Sequence, residues 1–262
     1  MSDIFKQTFD LSSKRVFLTG ASAGLGKHFA KVLCAAGADV VMAARSVDKL
    51  EALAKDLEPQ AGSCSSVALD VRDRSAIAEV IAAVEAQRPI DVLVNNAGIA
   101  IVRKPEKLSD DDWDAVYETN LRAPWTLARE VIKHRLVDGR ECSIINIASV
   151  LGLSPIGHLA PYAAAKAGLI NMGRDLCVDL AHQGIRVNAI APGYFETEMN
   201  RDWLNSEGGQ EMMRGIPTGR FGALKDLDGT LLLLASEASR FINGTVVTVD
   251  GGHSAGIYHR KD

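Results

Sequence analysis

RVFLTGASAGLG, running from Arg15 to Gly26, is the stretch on which the fold turns. VFLT is a short run of strand-forming residues, and the glycines that follow it lead into helical periodicity from about Gly24 to Ala36, so the stretch reads strand, glycine turn, helix. Working outward, the same alternation recurs. DVVMAA precedes a helix from about Val47 to Leu57, SVALD one near Arg74 to Ala86, and IDVLVNNAG a long helix from about Asp111 to Leu136. CSIINIAS precedes a helix near Ala160 to His182, IRVNAIAPG one near Lys225 to Ser236, and TVVTVD closes the series. Seven strands, most separated by helices, demand crossover connections and hence a seven-stranded parallel sheet covered by helices on both faces. The expected class is α/β, doubly wound, with residues 1–262 forming a single domain and 1–12 an N-terminal extension. Such sheets bind ligands beyond the carboxyl ends of their strands.

The glycine turn has a chemical meaning. Gly20, Gly24 and Gly26, with Ser22 and Leu25 between them, let the backbone turn tightly and approach a pyrophosphate, which then sits on the amides and positive dipole end of the helix. At the end of the second strand, where an acidic residue would bind the adenosine ribose, the chain has Ala43, Ala44 and Arg45. Arginine suits a 2′-phosphate and the small Ala44 leaves room for it, so NADP(H) is expected over NAD(H), which stays open. Of the competing acids, Asp39 comes too early, and Asp48 is a first-turn helix residue behind a Ser46 cap.

A second stretch carries proton chemistry. In ASVLGLSPIGHLAPYAAAKAGL, Ala148 to Leu169, Ser149 ends an apolar strand, and Tyr162 and Lys166 stand four apart on a helix. That spacing puts their Cβ atoms roughly 5 to 6 Å apart on one face. A phenol titrates ordinarily at about 10, and the ammonium is expected to lower that value and fit the pair for acid/base work. Asn120 lies in the long fourth helix with Pro124 four residues on, and proline cannot donate the bond that the Asn120 carbonyl would otherwise accept.

Composition narrows the alternatives. With 29 basic and 33 acidic residues the net charge is −4, and no basic cluster marks a nucleic-acid partner. Four cysteines, Cys34, Cys64, Cys142 and Cys177, are scattered without metal-ligand spacing, so no metal is expected. The longest aliphatic run, LLLLA at 231–235, is too short to span a membrane, and the N-terminus has no apolar leader pattern. The expected location is the cytoplasm.

TGASAGLG, NNAG at Asn95 to Gly98, Asn120, Ser149, YAAAK at Tyr162 to Lys166 and PGYFET at Pro192 to Thr197, in that order, resemble the short-chain dehydrogenase/reductase family over nearly the whole chain. The resemblance implies a Rossmann fold and hydride transfer between a nicotinamide cofactor and a carbonyl or alcohol carbon. It is similar to both the 3-oxoacyl reductases and the gluconate 5-dehydrogenases. By motif, Tyr162 would be the general acid/base, Lys166 would lower its pKa and bind the nicotinamide ribose, Ser149 would bond the substrate oxygen, and Asn120 would complete a proton relay. Asp70 and Val71 would meet the adenine, Asn96, Ala97 and Gly98 would lie along the cofactor, and Pro192, Gly193 and Thr197 would hold its nicotinamide end. The family also implies a homotetramer, or a homodimer. One departure is Ala23, where NADP-using members often carry a basic residue. The competing reading is a catalytically silent nucleotide-binding or regulatory protein on the same fold, and the intact Asn120, Ser149, Tyr162 and Lys166 set argues against it.

The substrate, a small molecule, is expected to meet two irregular segments. One lies between Ser149 and its helix, with Leu151, Leu153, Ile156 and His158; the other, Tyr194 to Phe221, reads as a lid and supplies Tyr194, Phe195, Met199 and Trp203. Most are apolar, which favours a ketone or acyl substrate. Arg103 and Lys104, after NNAG, could meet a carboxylate or phosphate, with a solvated loop as the alternative.

Overall fold

A strand buried on both faces must be apolar at every position, and β1 (Arg15–Thr19) is buried from Val16 onward. Its side chains part alternately into two cores: Val16 and Leu18 join one cluster, Phe17 the other. The computed structural model of the protein describes residues 8–58, 60–197 and 201–256, and in it β1 lies inside a seven-stranded parallel sheet of order β3-β2-β1-β4-β5-β6-β7. The strands are β2 (Asp39–Ala44), β3 (Ser63–Ala68), β4 (Val92–Asn95), β5 (Cys142–Ile147), β6 (Ile185–Pro192) and β7 (Val246–Val249). The first cluster is covered by α1 (Gly24–Ala35), α2 (Val47–Leu57) and, from near the far end of the chain, Asp228–Ala235. The second is covered by α3 (Arg74–Gln87) and by the long helices that precede and follow β5. The order reverses between β1 and β4, the switch point at which doubly wound sheets bind ligands.

The long fourth helix is not uniform. It begins as α4 (Asp110–Tyr117) behind a Ser109–Asp112 capping box, widens into a π-helical turn over Glu118–Arg122, and resumes as α5 (Ala123–Asp138). The Ala123 amide reaches back five residues to the Glu118 carbonyl, just ahead of Pro124. α6 (Ala160–Leu180) starts with Pro161 in its first turn. After β6 the chain makes a closed excursion containing α7 (Arg201–Leu204) and α8 (Glu207–Arg214). Its two ends are tied, the Gly222 amide donating to the Tyr194 carbonyl at 2.8 Å and the Glu196 amide to the Gly222 carbonyl at 3.3 Å. The last helix, α9 (Asp228–Ala235), leads to β7.

Three expectations shift. β3 begins at Ser63 rather than Ser66 and ends before Leu69, because as an edge strand it tolerates serines on its exposed face. Ser46 precedes α2 without making a side-chain cap. Leu11, assigned from sequence to the N-terminal extension, is fully buried in the first core, its amide bonded to the Ala36 carbonyl. The four cysteines are free. Among the described residues no helix is long and apolar enough to cross a membrane, and no cluster of His, Cys, Asp or Glu could hold a metal ion.

α3 and α5 are held together by a buried charge pair. Arg135 is 2 % exposed; its guanidinium pairs with Glu85 and donates to the Ile90 carbonyl at 3.2 Å, while Glu85 accepts from the Ile90 amide at 3.2 Å. The pair thereby also fixes the turn that delivers the chain into β4. Burial pushes the Glu85 carboxyl up, against the pull of Arg135. Arg135→Met, which strands that carboxyl, is expected to lower stability in urea unfolding by about 3–5 kcal/mol, and adding Glu85→Met should restore most of the loss. Equal stability of the single variant and the wild type would contradict this account.

Candidate active site

At the end of β1, Gly20 (φ 68°) and Gly24 (φ 52°) adopt left-handed conformations. Gly26 is needed for a different reason: a Cβ there would lie 2.2 Å from the Gly20 carbonyl oxygen. The turn is wound back beneath the start of α1. Ala23 at the N-cap makes no side-chain bond to the first helical amides, and no acidic residue stands in the first turn, so those amides and the dipole are what an anion would meet. Ser22 is half-buried in the turn, while Leu25 packs on the first core. Thr197, arriving from beyond β6, lies over Gly24, 3.8 Å from where its Cβ would be.

The loop after β4 is clamped to this turn. Asn96 Nδ2 donates to the carbonyls of Thr19 at 2.9 Å and Gly20 at 3.3 Å, so its amide faces β1. Thr19, which sequence reading passed over, accepts the amides of Asn96 at 3.0 Å and Ala97 at 3.1 Å on its buried hydroxyl. A threonine just before the first glycine is the only signal that could have pointed to it. At the ends of β2 and β3, Arg45 is exposed, and Val71 is buried. Asp70 is engaged by Arg72, also missed from sequence: it accepts the Arg72 amide at 3.0 Å and the guanidinium at 3.3 and 3.1 Å. Arg72 chiefly, with Arg45 adding to it, holds the Asp70 carboxyl below the usual range against the opposing effect of burial. Beyond β6, Gly193 donates to the Val249 carbonyl at 2.9 Å and packs so close to Asp250 that a Cβ would lie 2.7 Å from that residue's own Cβ.

Asn120 and Lys166 meet beside Gly98, and Tyr162 joins Lys166 to Ser149 at the carboxyl end of β5. Asn120 sits in the π-turn with no exposure; its side chain donates to the Ile99 carbonyl at 2.7 Å and accepts the Ile99 amide at 2.9 Å. A Cβ on Gly98 would stand 3.2 Å from Asn120 Oδ1 and 3.6 Å from Lys166 Nζ. Lys166 Nζ is buried and donates to the Ile147 carbonyl at 2.7 Å, the last residue of β5. Ser149 caps a 3₁₀ turn, its hydroxyl oxygen accepting the Leu151 amide at 3.1 Å, and its hydroxyl also hydrogen-bonds Tyr162.

The electrostatics correct one expectation. The Tyr162 phenol is pushed above its ordinary value by burial, with Ser149 opposing the shift. The Lys166 ammonium lies 5.7 Å from the centre of the tyrosine ring and donates to Ile147, and it is not among the causes of the phenol's shift. Burial, without a carboxylate to offset it, instead lowers Lys166 itself to about 8. Helical spacing placed the two residues on one face, but the lysine stem turns toward the strand end.

The substrate candidates divide. Leu153 and Ile156 are exposed at 45 % and 47 %, and Tyr194 and Trp203 pack together with ring centres 6.0 Å apart. His158 is exposed with φ at 58°, the only non-glycine described residue in that region of backbone, and its carbonyl accepts the Arg103 amide at 2.9 Å, joining the loops after β4 and β5. His253, not foreseen, lies 5.6 Å ring to ring from Tyr194. Two candidates face inward. Phe195 is buried in the first core against Gly222, because successive residues leaving a strand point to opposite sides, and Leu151 is buried within its 3₁₀ turn. Met199 lies outside the described residues. Arg103 is tied to Asp112 at 2.8 Å.

The low Lys166 value has a measurable sign. Its folded pKa lies below the unfolded one, so the unfolded chain binds the extra proton between about 8 and 10.5, and stability rises with pH across that window. Relative to Lys166→Met, wild-type stability in urea should increase by roughly 1–3 kcal/mol from about pH 7 to about pH 10. A constant difference would show that the ammonium is solvated.

A family model described as short chain dehydrogenase matches residues 14–208. Over 246 residues the chain is 37 % identical to a gluconate 5-dehydrogenase of Gluconobacter oxydans, covering 93 % of this chain and 96 % of the relative. It is 36 % identical over 243 residues to a 3-oxoacyl-[acyl-carrier-protein] reductase of Thermotoga maritima, covering 92 % and 98 %. The crystal structure of a gluconate 5-dehydrogenase from Burkholderia cenocepacia in complex with NADP and tartrate superposes with a TM-score of 0.91 at 34 % identity, covering 96 % of this chain and 99 % of that one.

Proposed function

The chain belongs to the short chain dehydrogenase family and is an NAD(P)-dependent oxidoreductase, and on that premise we propose that it interconverts a carbonyl and a secondary alcohol with NADP(H), Tyr162 serving as general acid/base. The observation that carries this reading is that Lys166 stands beside Asn120 at Gly98 and beside the Tyr162 ring, which in turn meets Ser149. The reduced nicotinamide, when bound, supplies hydride to the carbonyl carbon. The chain's own residues manage the oxygen. Ser149 and Tyr162 donate hydrogen bonds to it as negative charge develops, and Tyr162 delivers the proton. A phenol kept neutral by burial stands ready as that donor. Lys166 holds the nicotinamide ribose and, with a pKa of about 8, exchanges protons near neutral pH. Asn120, whose side chain is spent on Ile99, acts through its backbone carbonyl, which Pro124 leaves for a water that resupplies the proton.

The fit to NADP(H) rests on the chain's own features: the glycine cradle and uncapped α1 for the pyrophosphate, the exposed Arg45 for the 2′-phosphate, and Pro192, Gly193 and Thr197 for the nicotinamide end. The NADP in the Burkholderia cenocepacia structure supports the same assignment. The substrate is a small ketone, a 3-oxoacyl thioester or a keto-sugar acid, the last two in line with the Thermotoga and Gluconobacter relatives. A homotetramer belongs to the reading as well. Trp113, Trp125 and Val137 (89 % exposed) on α4 and α5, and Val178 (80 %) on α6, leave apolar surface that pairing of these helices across two-fold axes would cover.

The deciding assay follows NADPH and NADH oxidation over ketones, 3-oxoacyl thioesters and keto-sugar acids. Wild type should use NADPH, and Tyr162→Phe should lose at least about 10²-fold in turnover while its NADPH-induced thermal shift is retained. Equal rates for the two proteins would sink the mechanism, and a preference for NADH would sink the role of Arg45. Light scattering should report a multiple of the 28.0 kDa chain; a particle of that single mass would refute the assembly.

A further inference from the structure

Tyr194 stands two residues past the end of β6, beside the strand that carries Ser149 at its tip. Its ring is held between Trp203 and His253, with centres 6.0 and 5.6 Å away, so the hydroxyl has a set direction. That hydroxyl is buried and has no hydrogen-bond partner among the described residues. Folded proteins rarely keep such a group without a use for it, because an unpaired buried donor is destabilising. Burial first, and then the neighbouring Tyr162 phenol, push Tyr194 up to about 12. Tyr194 therefore remains a neutral donor at neutral pH. Ser149 and Tyr162 together account for the substrate's carbonyl oxygen. Tyr194, at the end of the adjacent strand, is a further donor left over for another polar group of the substrate.

We propose that Tyr194 is a specificity-determining residue whose hydroxyl donates a hydrogen bond to a second oxygen, on the carbon next to the reacting carbonyl, so that the site selects hydroxylated ketones over plain ones. This rests on the carbonyl-reducing reading of the same site and deepens it toward substrates of the keto-sugar acid class. A buried polar group left unpaired by an analogue that lacks its partner is the means by which such a site discriminates.

The test compares 3-hydroxybutan-2-one with butan-2-one as NADPH-dependent substrates of wild type and Tyr194→Phe. Wild type is expected to favour the hydroxyketone in kcat/KM by about tenfold or more. In Tyr194→Phe that ratio should fall to within about threefold of unity, through loss on the hydroxyketone. The melting temperature should be unchanged or higher, since the substitution removes only an unpaired hydroxyl. Equal loss on both ketones, a wild-type ratio near one, or a clear drop in melting temperature would each overturn the proposal. Absence of turnover of both ketones by wild type would overturn it together with the reductase reading, whereas turnover with an unaltered ratio would overturn it alone.

Discussion

A methyl group at position 26 would collide with the Gly20 carbonyl oxygen at 2.2 Å, and this contact between two stretches of bare backbone governs the whole carboxyl edge of the sheet. It allows α1 to start directly over the end of β1. Asn96 then reaches the Thr19 and Gly20 carbonyls, and Thr19 holds the Asn96 and Ala97 amides in return. With that loop fixed, Gly98 falls between Asn120 and Lys166, and the side chains of three separate elements converge.

Two buried cations show how differently one fold can treat charge. Arg135 is given two carboxylates, Glu85 and Asp138, and a backbone carbonyl, and it serves to lock α3, α5 and the turn into β4. Lys166 is given only the Ile147 carbonyl, and its pKa falls to about 8 as a result. A desolvated ammonium without a counter-ion is brought into the range where protons exchange.

The same contrast separates the two aromatic residues that follow β6. Phe195 turns inward and becomes core against Gly222. Tyr194 packs instead against Trp203 and His253 and keeps a buried hydroxyl with no partner among the described residues. Neighbours in sequence thus meet different surroundings, because the chain leaves the strand with its side chains alternating.

Periodicity and turn chemistry were enough to determine the alternating array, the parallel sheet, the glycine turn and the placing of Tyr162 and Lys166 on one helix face, because these depend on local spacing and on which residues a backbone can accept, whereas Asn120 entered only through the family resemblance. Helix limits such as Val47–Leu57 were legible to the residue. The direction in which a side chain leaves its element was not. Whether Lys166 meets the phenol or the Ile147 carbonyl, whether Phe195 lines a pocket or fills the core, and which acid Arg72 occupies are settled by groups distant in the chain. Burial and pairing are sums over such neighbours, so the pKa values of Tyr162 and Lys166 and the unsatisfied hydroxyl of Tyr194 exist only once the tertiary structure has brought those neighbours into place.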